Sequence, residues 1–159
     1  KKQLEIARKH CKPIIVHSRD SISDTYEILK NYDLKGSLHC FSSSLEMAKL
    51  FIKLGYMIGV GGVVTYRNAK TLINVIENID LEYILLETDS PYLSPHPLRG
   101  KMNVPSNIPI IAEKIAEIRN PHTSVFVEKL SSKKLLSINS TLGIFSLLNN
   151  VKTLFRIEV

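Results

Sequence analysis

The chain has 159 residues, 44% of them hydrophobic, and its 21 Lys+Arg against 15 Asp+Glu give a net charge of +6. That length suits one core and one domain, the positive balance favours polyanionic partners, and no apolar run approaches the ~18 residues a membrane span needs. Cys11 and Cys40 lie in or beside apolar runs without metal-ligand spacing, which predicts reduced, buried thiols in a cytoplasmic protein rather than a disulfide framework.

In chain order, the first pattern is helical from Lys1 to Cys11, and Lys12-Pro13 ends it. The start at Lys1, inside a helical pattern, reads as the interior of a longer gene product. Ile14-Ile15-Val16 is a β-branched strand run that stops at His17-Ser18-Arg19-Asp20. Ser21 and Asp24 form a capping-box-like pair that opens a helix running to about Tyr32. Gly36-Ser37-Leu38 leads into His39-Cys40-Phe41, a second short strand. Cys40 is expected to pack inward, since strand neighbours point to opposite faces. Ser43 and Glu46 then suggest a capping box for a helix with Leu45, Ala48, Phe51, Ile52 and Gly55 on one stripe.

Tyr56 to Val60 reads as a third strand, after which Gly61-Gly62 relaxes the backbone. A helix is expected from Arg67 to Asn78 and a fourth strand from Tyr83 to Leu86. Strands alternating with helices, with no hairpin signature, imply parallel pairing. A loop rich in Pro, Asn, Gly and basic residues follows from Ser94 to Pro109. Ile108, Ile111, Ala112, Ile115 and Ala116 mark an amphipathic helix ending near Asn120-Pro121. Two further helices are expected, from Ser124 to Leu136 and from Leu142 to Phe155.

Three of these strands end in metal-capable side chains: His17, His39 and Asp89. In a parallel barrel the C-terminal strand tips share one rim, where such folds place their chemistry. Imidazole and carboxylate together suit Zn, Mn or another divalent ion, and Mg where oxygen ligands dominate. Each group also has a plainer reading: a rim histidine satisfied by hydrogen bonds, or an aspartate capping the next turn. Arg19, Arg99, Lys101 and Asn103 lie near the same rim and could hold phosphate oxygens. Gly59-x-Gly61-Gly62 is a poor phosphate-loop match, because no Gly-Lys opens a helix after it. His10, His96 and His122 read as structural or solvated.

The segments Ile14-Ile15-Val16-His17-Ser18-Arg19-Asp20, Leu38-His39-Cys40-Phe41-Ser42 and Leu85-Leu86-Glu87-Thr88-Asp89-Ser90-Pro91-Tyr92-Leu93 resemble the TatD family of metal-dependent hydrolases. Gly55-Tyr56-Met57-Ile58-Gly59, Arg99-Gly100-Lys101-Met102-Asn103-Val104-Pro105 and the closing Asn150-Val151-Lys152-Thr153-Leu154-Phe155 are similar to other parts of that family. The resemblance implies a (β/α)8 TIM barrel of the amidohydrolase-like type, of which residues 1–159 are one domain holding about the C-terminal half, strands five to eight. It implies a deoxyribonuclease dependent on divalent metal (Mg²⁺, Mn²⁺ or Zn²⁺), often a 3′-to-5′ exonuclease, with DNA as its substrate. His17, His39 and Asp89 then fall on metal ligands, with Asp89 also orienting or deprotonating the attacking water, and Arg19 and Asn103 fall on the substrate side. The remaining ligands of the family belong to strands that this chain lacks, so the chain alone is expected to be weakly active or inactive. The alternatives are hydrolysis of another ester, such as an aminoacyl ester on tRNA, or nucleic-acid binding without catalysis.

Overall fold

Four strands run parallel in one sheet in the order β1 (Ile14–His17), β2 (Gly36–His39), β3 (Tyr56–Val60) and β4 (Ile84–Leu86). The computed structural model that shows them describes residues 1–119; the two helices expected beyond 123, and the closing motif, lie outside those residues. Helix α1 (Lys2–Lys9) precedes the sheet, α2 (Ile22–Leu29), α3 (Leu45–Lys53) and α4 (Lys70–Asn78) connect successive strands, and α5 (Ile108–Arg119) follows. This is the β-α alternation that the apolar runs predict. Among the described residues the sheet has four strands, with β1 and β4 at its ends.

One face of the sheet carries the core. Leu38, Ile58, Val60 and Ile84 pack against Ala48 and Phe51 of α3, Val75 and Ile76 of α4, and Ile111 and Ile115 of α5. Successive strand residues point to opposite faces, and Ser37 and Leu85, which alternate with Leu38 and Ile84, are buried as well. In β1, Ile14 and Val16 pack against the core whereas Ile15 between them is 64% exposed. Tyr26 and Tyr56 meet Phe51 edge-on, with ring centroids 5.6 and 6.2 Å away, an arrangement that suits the aromatic quadrupole.

The helix ends differ from expectation in detail. At α3 the cap is Ser44, not Ser43: its hydroxyl accepts from the Met47 N–H at 3.4 Å. Three consecutive serines, 42 to 44, could each cap, and the path of the chain out of β2 selects the last. Ser21 precedes α2 without bonding a backbone N–H through its side chain; it accepts through its carbonyl from the Thr25 hydroxyl at 2.9 Å. Gly55 closes α3 at φ +87, a left-handed conformation that glycine adopts without penalty. The C-terminal carbonyls of α4 are met from another element, since Arg119 at the end of α5 donates to Ile76, Ile79 and Glu77 oxygens at 3.0, 2.8 and 3.1 Å.

Gly61-Gly62 leads into a single 3₁₀ turn, Gly62–Thr65, and α4 starts only at Lys70. Gly62 serves close approach: a Cβ there would lie 2.1 Å from the Leu93 carbonyl oxygen. The strand expected to continue through Cys40 stops at His39, and Cys40 is a half-buried turn residue at φ +49. Cys11 is exposed, which corrects its reading as a buried thiol. It follows the end of α1, where no element covers it. No helix among the described residues is long and apolar enough to cross a membrane.

Candidate active site

Parallel pairing brings the C-terminal ends of the strands to one rim. His17 and His39 are register partners on β1 and β2, and their ring centroids are 5.7 Å apart. Past the end of β4, the Glu87 N–H donates to the Val60 carbonyl at 3.1 Å, so β3 carries the pairing one residue further. Asp89 follows at φ +57, and Asp20 and Cys40 have φ of +55 and +49 where the chain turns away from β1 and β2. Aspartate visits this region more readily than most side chains do; at Cys40 it costs about 1 kcal/mol.

The centre of the rim is His39. Its Nδ1 is 2.8 Å from Glu87 Oε2, and its Nε2 is 3.1 Å from Asp89 Oδ1. The second Glu87 oxygen accepts from the Cys40 N–H. His39 and Glu87 are shielded, 23% and 19% exposed, and Asp89 is more open at 35%. Burial on its own lowers the His39 pKa, but the charges and hydrogen bonds of Glu87, with those of Asp89, outweigh it and hold the imidazole above its ordinary 6.5. Glu87 is pushed up from 4.5 by burial, which its attraction to His39 only partly offsets. Burial and then the two carboxylates push the Cys40 thiol up to about 11, so the thiol is a poor nucleophile near neutrality.

The loop that carries Asp89 is tied from behind. Asn103 is 2% exposed, and its amide donates to the Thr88 and Tyr92 carbonyls at 2.6 and 2.7 Å. Its oxygen accepts from the Val104 N–H at 3.0 Å and from the Asn107 amide at 2.8 Å. The Tyr92 N–H donates to the Asp89 carbonyl at 2.8 Å.

Of the residues expected at the site, His39 and Asp89 are in contact and His17 stands beside them. Arg19 projects into solvent, 85% exposed and 3.8 Å from Asp20. Asn103, expected on the substrate side, instead sits beneath the rim with its amide engaged by the loop. A recess of about 180 Å³ opens beside His39, lined by Ser18, Asp20, Ser42 and Ser43 together with Ile22, Leu38 and Phe41; Glu87 and Asp89 do not line it. The residue missed by sequence reasoning is Glu87. It lies two positions before Asp89, and residues two apart in extended backbone share a face; that spacing was the available signal.

Among the described residues, no three of His, Cys, Asp and Glu gather tightly enough to hold an ion by themselves. A pair does fit one. Ligands at about 2.1 Å from a common ion, set roughly 90° to 110° apart, are about 3.0 to 3.4 Å from each other, and His39 Nε2 and Asp89 Oδ1 are 3.1 Å apart. Imidazole nitrogen with carboxylate oxygen is also a donor set that divalent ions accept.

A family model described as TatD related DNase matches residues 1–137. The chain is 36% identical over 159 residues to YabD of Bacillus subtilis, named as an uncharacterized metal-dependent hydrolase, covering 98% of this chain and 56% of that protein. It is 41% identical over 131 residues to YcfH of Escherichia coli, which bears the same description, covering 80% of this chain and 48% of that one. Among solved structures, that of YjjV, a TatD homologue from Escherichia coli, superposes with a TM-score of 0.82 at 31% identity, over 99% of this chain and 55% of its own. The chain thus spans about half the length of the curated relatives it matches.

Proposed function

Because the chain belongs to the TatD family of metal-dependent hydrolases, with that family's α/β TIM-barrel type of fold, we propose that it carries part of the active site of a deoxyribonuclease dependent on a divalent metal. We read it as a 3′-to-5′ exonuclease of the cytoplasm. The observation that carries the reading is the 3.1 Å pair of His39 Nε2 and Asp89 Oδ1 at one strand rim, with His17 beside it.

His17, His39 and Asp89 would hold the cation, Mg²⁺, Mn²⁺ or Zn²⁺, together with ligands from strands outside this chain. When bound, such a cation neutralises charge on phosphoryl oxygens and lowers the pKa of a water molecule. Asp89 takes the proton of the water that attacks the phosphorus, the P–O3′ bond to the rest of the strand breaks, and the departing 3′ oxygen takes a proton from solvent; the 35% exposure of Asp89 leaves its carboxylate open to that water. Arg19 has the length and freedom to pair with a phosphate two ways, as guanidinium groups do. The net charge of +6 favours a polyanion such as DNA.

The test is nucleotide release from a 5′-labelled single-stranded oligodeoxynucleotide with Mg²⁺, Mn²⁺ or EDTA. It is run on a full-length barrel carrying this sequence and on residues 1–159 alone. Cleavage by the full barrel, abolished by EDTA and lowered at least ~100-fold by Asp89→Asn with DNA binding retained, is the expected result. Wild-type turnover by the Asp89→Asn variant would refute its role. Cleavage by residues 1–159 alone would show that no further ligands are needed.

A further inference from the structure

Glu87 contacts two groups of β2, although β3 runs between β2 and β4. Neighbouring strands are about 4.8 Å apart, so a side chain leaving the end of β4 must cross roughly twice that distance to reach His39. What lies beneath the crossing is glycine. A Cβ at Gly59 would come 2.7 Å from Glu87 Oε2 and 2.9 Å from its carboxyl carbon, closer than real Cβ atoms approach. A Cβ at Gly61 would lie 3.7 Å from Glu87 Cγ, an ordinary contact. The head of Glu87 therefore occupies the space that a side chain at Gly59 would fill.

We propose that Glu87 is a positioning residue for His39, and that the missing side chain of Gly59 is the passage through which it acts. One Glu87 oxygen is anchored by the Cys40 N–H, and the other accepts from His39 Nδ1 at 2.8 Å. Adjacent groups of one chain are thus held by one carboxylate, which sets both the ring's orientation and which nitrogen carries the proton. Glu87 is the nearer of the two carboxylates that compete for the ring proton, 2.8 Å from Nδ1 against 3.1 Å from Asp89 to Nε2, so the proton rests on Nδ1 and the Nε2 lone pair is left for a cation shared with Asp89. A carboxylate behind an imidazole in this way fixes the tautomer of a metal-binding histidine and raises its basicity. Glu87 has both oxygens engaged and is not itself a ligand. Only this last step, from tautomer to cation, rests on the reading of His39 as a ligand.

The experiment reads the tautomer directly, by ¹⁵N-¹H correlation of the His39 ring in the metal-free 159-residue chain at a pH where the imidazole is neutral. The signal is assigned by its loss in His39→Ala. The wild type is expected to show Nδ1–H. Glu87→Gln keeps the shape but offers one acceptor to two donors, and should give a mixture of tautomers or Nε2–H. Glu87→Asp, one methylene shorter, should do the same because it cannot span β3. Affinity for Zn²⁺ or Mn²⁺, measured by calorimetry, should fall roughly 10- to 100-fold in both. Gly59→Ala should reproduce the change, and the Gly59→Ala, Glu87→Gln double variant should be no worse than the worse single one. Since the added methyl also meets the Leu38 carbonyl oxygen at 2.7 Å, the Glu87 variants decide the matter if Gly59→Ala does not fold. An Nε2–H tautomer in the wild type, or an unchanged tautomer in Glu87→Gln, overturns the proposal. Neither result depends on whether DNA is cleaved.

Discussion

His17 and His39 end neighbouring strands as register partners, yet they inhabit different surroundings. His39 has a strand on either side, a carboxylate at each ring nitrogen and a shielded position. Among the described residues His17 ends a strand with one neighbour, beside Ile15 at 64% exposure and Arg19 at 85%. The rim from β2 to β4 is built from behind: Asn103 ties the loop, Gly59 leaves room for Glu87, and the core lies beneath. Among the described residues the β1 end has the same class of side chain without that support. A ligand-type residue becomes a positioned one through what packs around it, and in this chain that support is concentrated toward β4.

Truncations on the two sides of the sheet should separate most. Ile58→Ala, at a fully buried core position, should cost about 2–5 kcal/mol in urea unfolding, whereas Ile15→Ala should stay within about 0.5 kcal/mol. Equal costs would mean that the β1 face is covered in solution and that the contrast is wrong. Next comes Asn103→Ala, which removes a buried amide bonded to two carbonyls and strands its other partners. It should cost about 2–3 kcal/mol and raise protease sensitivity between Thr88 and Asn107. A loss no larger than that of Ile15→Ala would show that the loop is held by something else.

The smallest effect is electrostatic. The His39 pKa is raised in the fold, so its pairing contributes fully below about pH 6.5 and is lost as pH rises through the raised value. Glu87, raised by burial above 4.5, acts with the same sign over its own range. Urea midpoints of the metal-free chain should therefore fall as pH increases above 6.5, and His39→Gln should flatten that slope. A wild-type midpoint that climbs over this range would contradict the pairing of His39 with Glu87 and Asp89.

Much of the fold was legible because the strands are short runs closed by a break, polar after β1, β2 and β4 and a glycine pair after β3. Ile14 to Val16, Tyr56 to Val60 and the stripe on α3 needed only local pattern to find. His39 was legible as a strand end, and Asp89, expected at a strand tip, lies three residues past the end of β4. Glu87 was not, because its role depends on register across three strands and on an empty position at Gly59. Asn103 was placed on the correct loop, but its amide turned out to be engaged by the backbone around it. Cys11 looked buried from its apolar neighbours, and only the path of the chain beyond α1 shows it exposed.

The strictly sequential strand order has a consequence in time. Each of β2, β3 and β4 pairs with the strand made before it, so this sheet can grow as the chain leaves the ribosome. His39 and Asp89 are separated by 50 residues, which at about 5–20 residues per second is roughly 2 to 10 seconds of synthesis. Once Tyr56–Val60 has been made, β2 and β3 can pair for the rest of that interval while His39 still lacks both of its carboxylates. The scaffold is thus laid down before its chemistry, and β4 delivers both acidic groups in a single docking step.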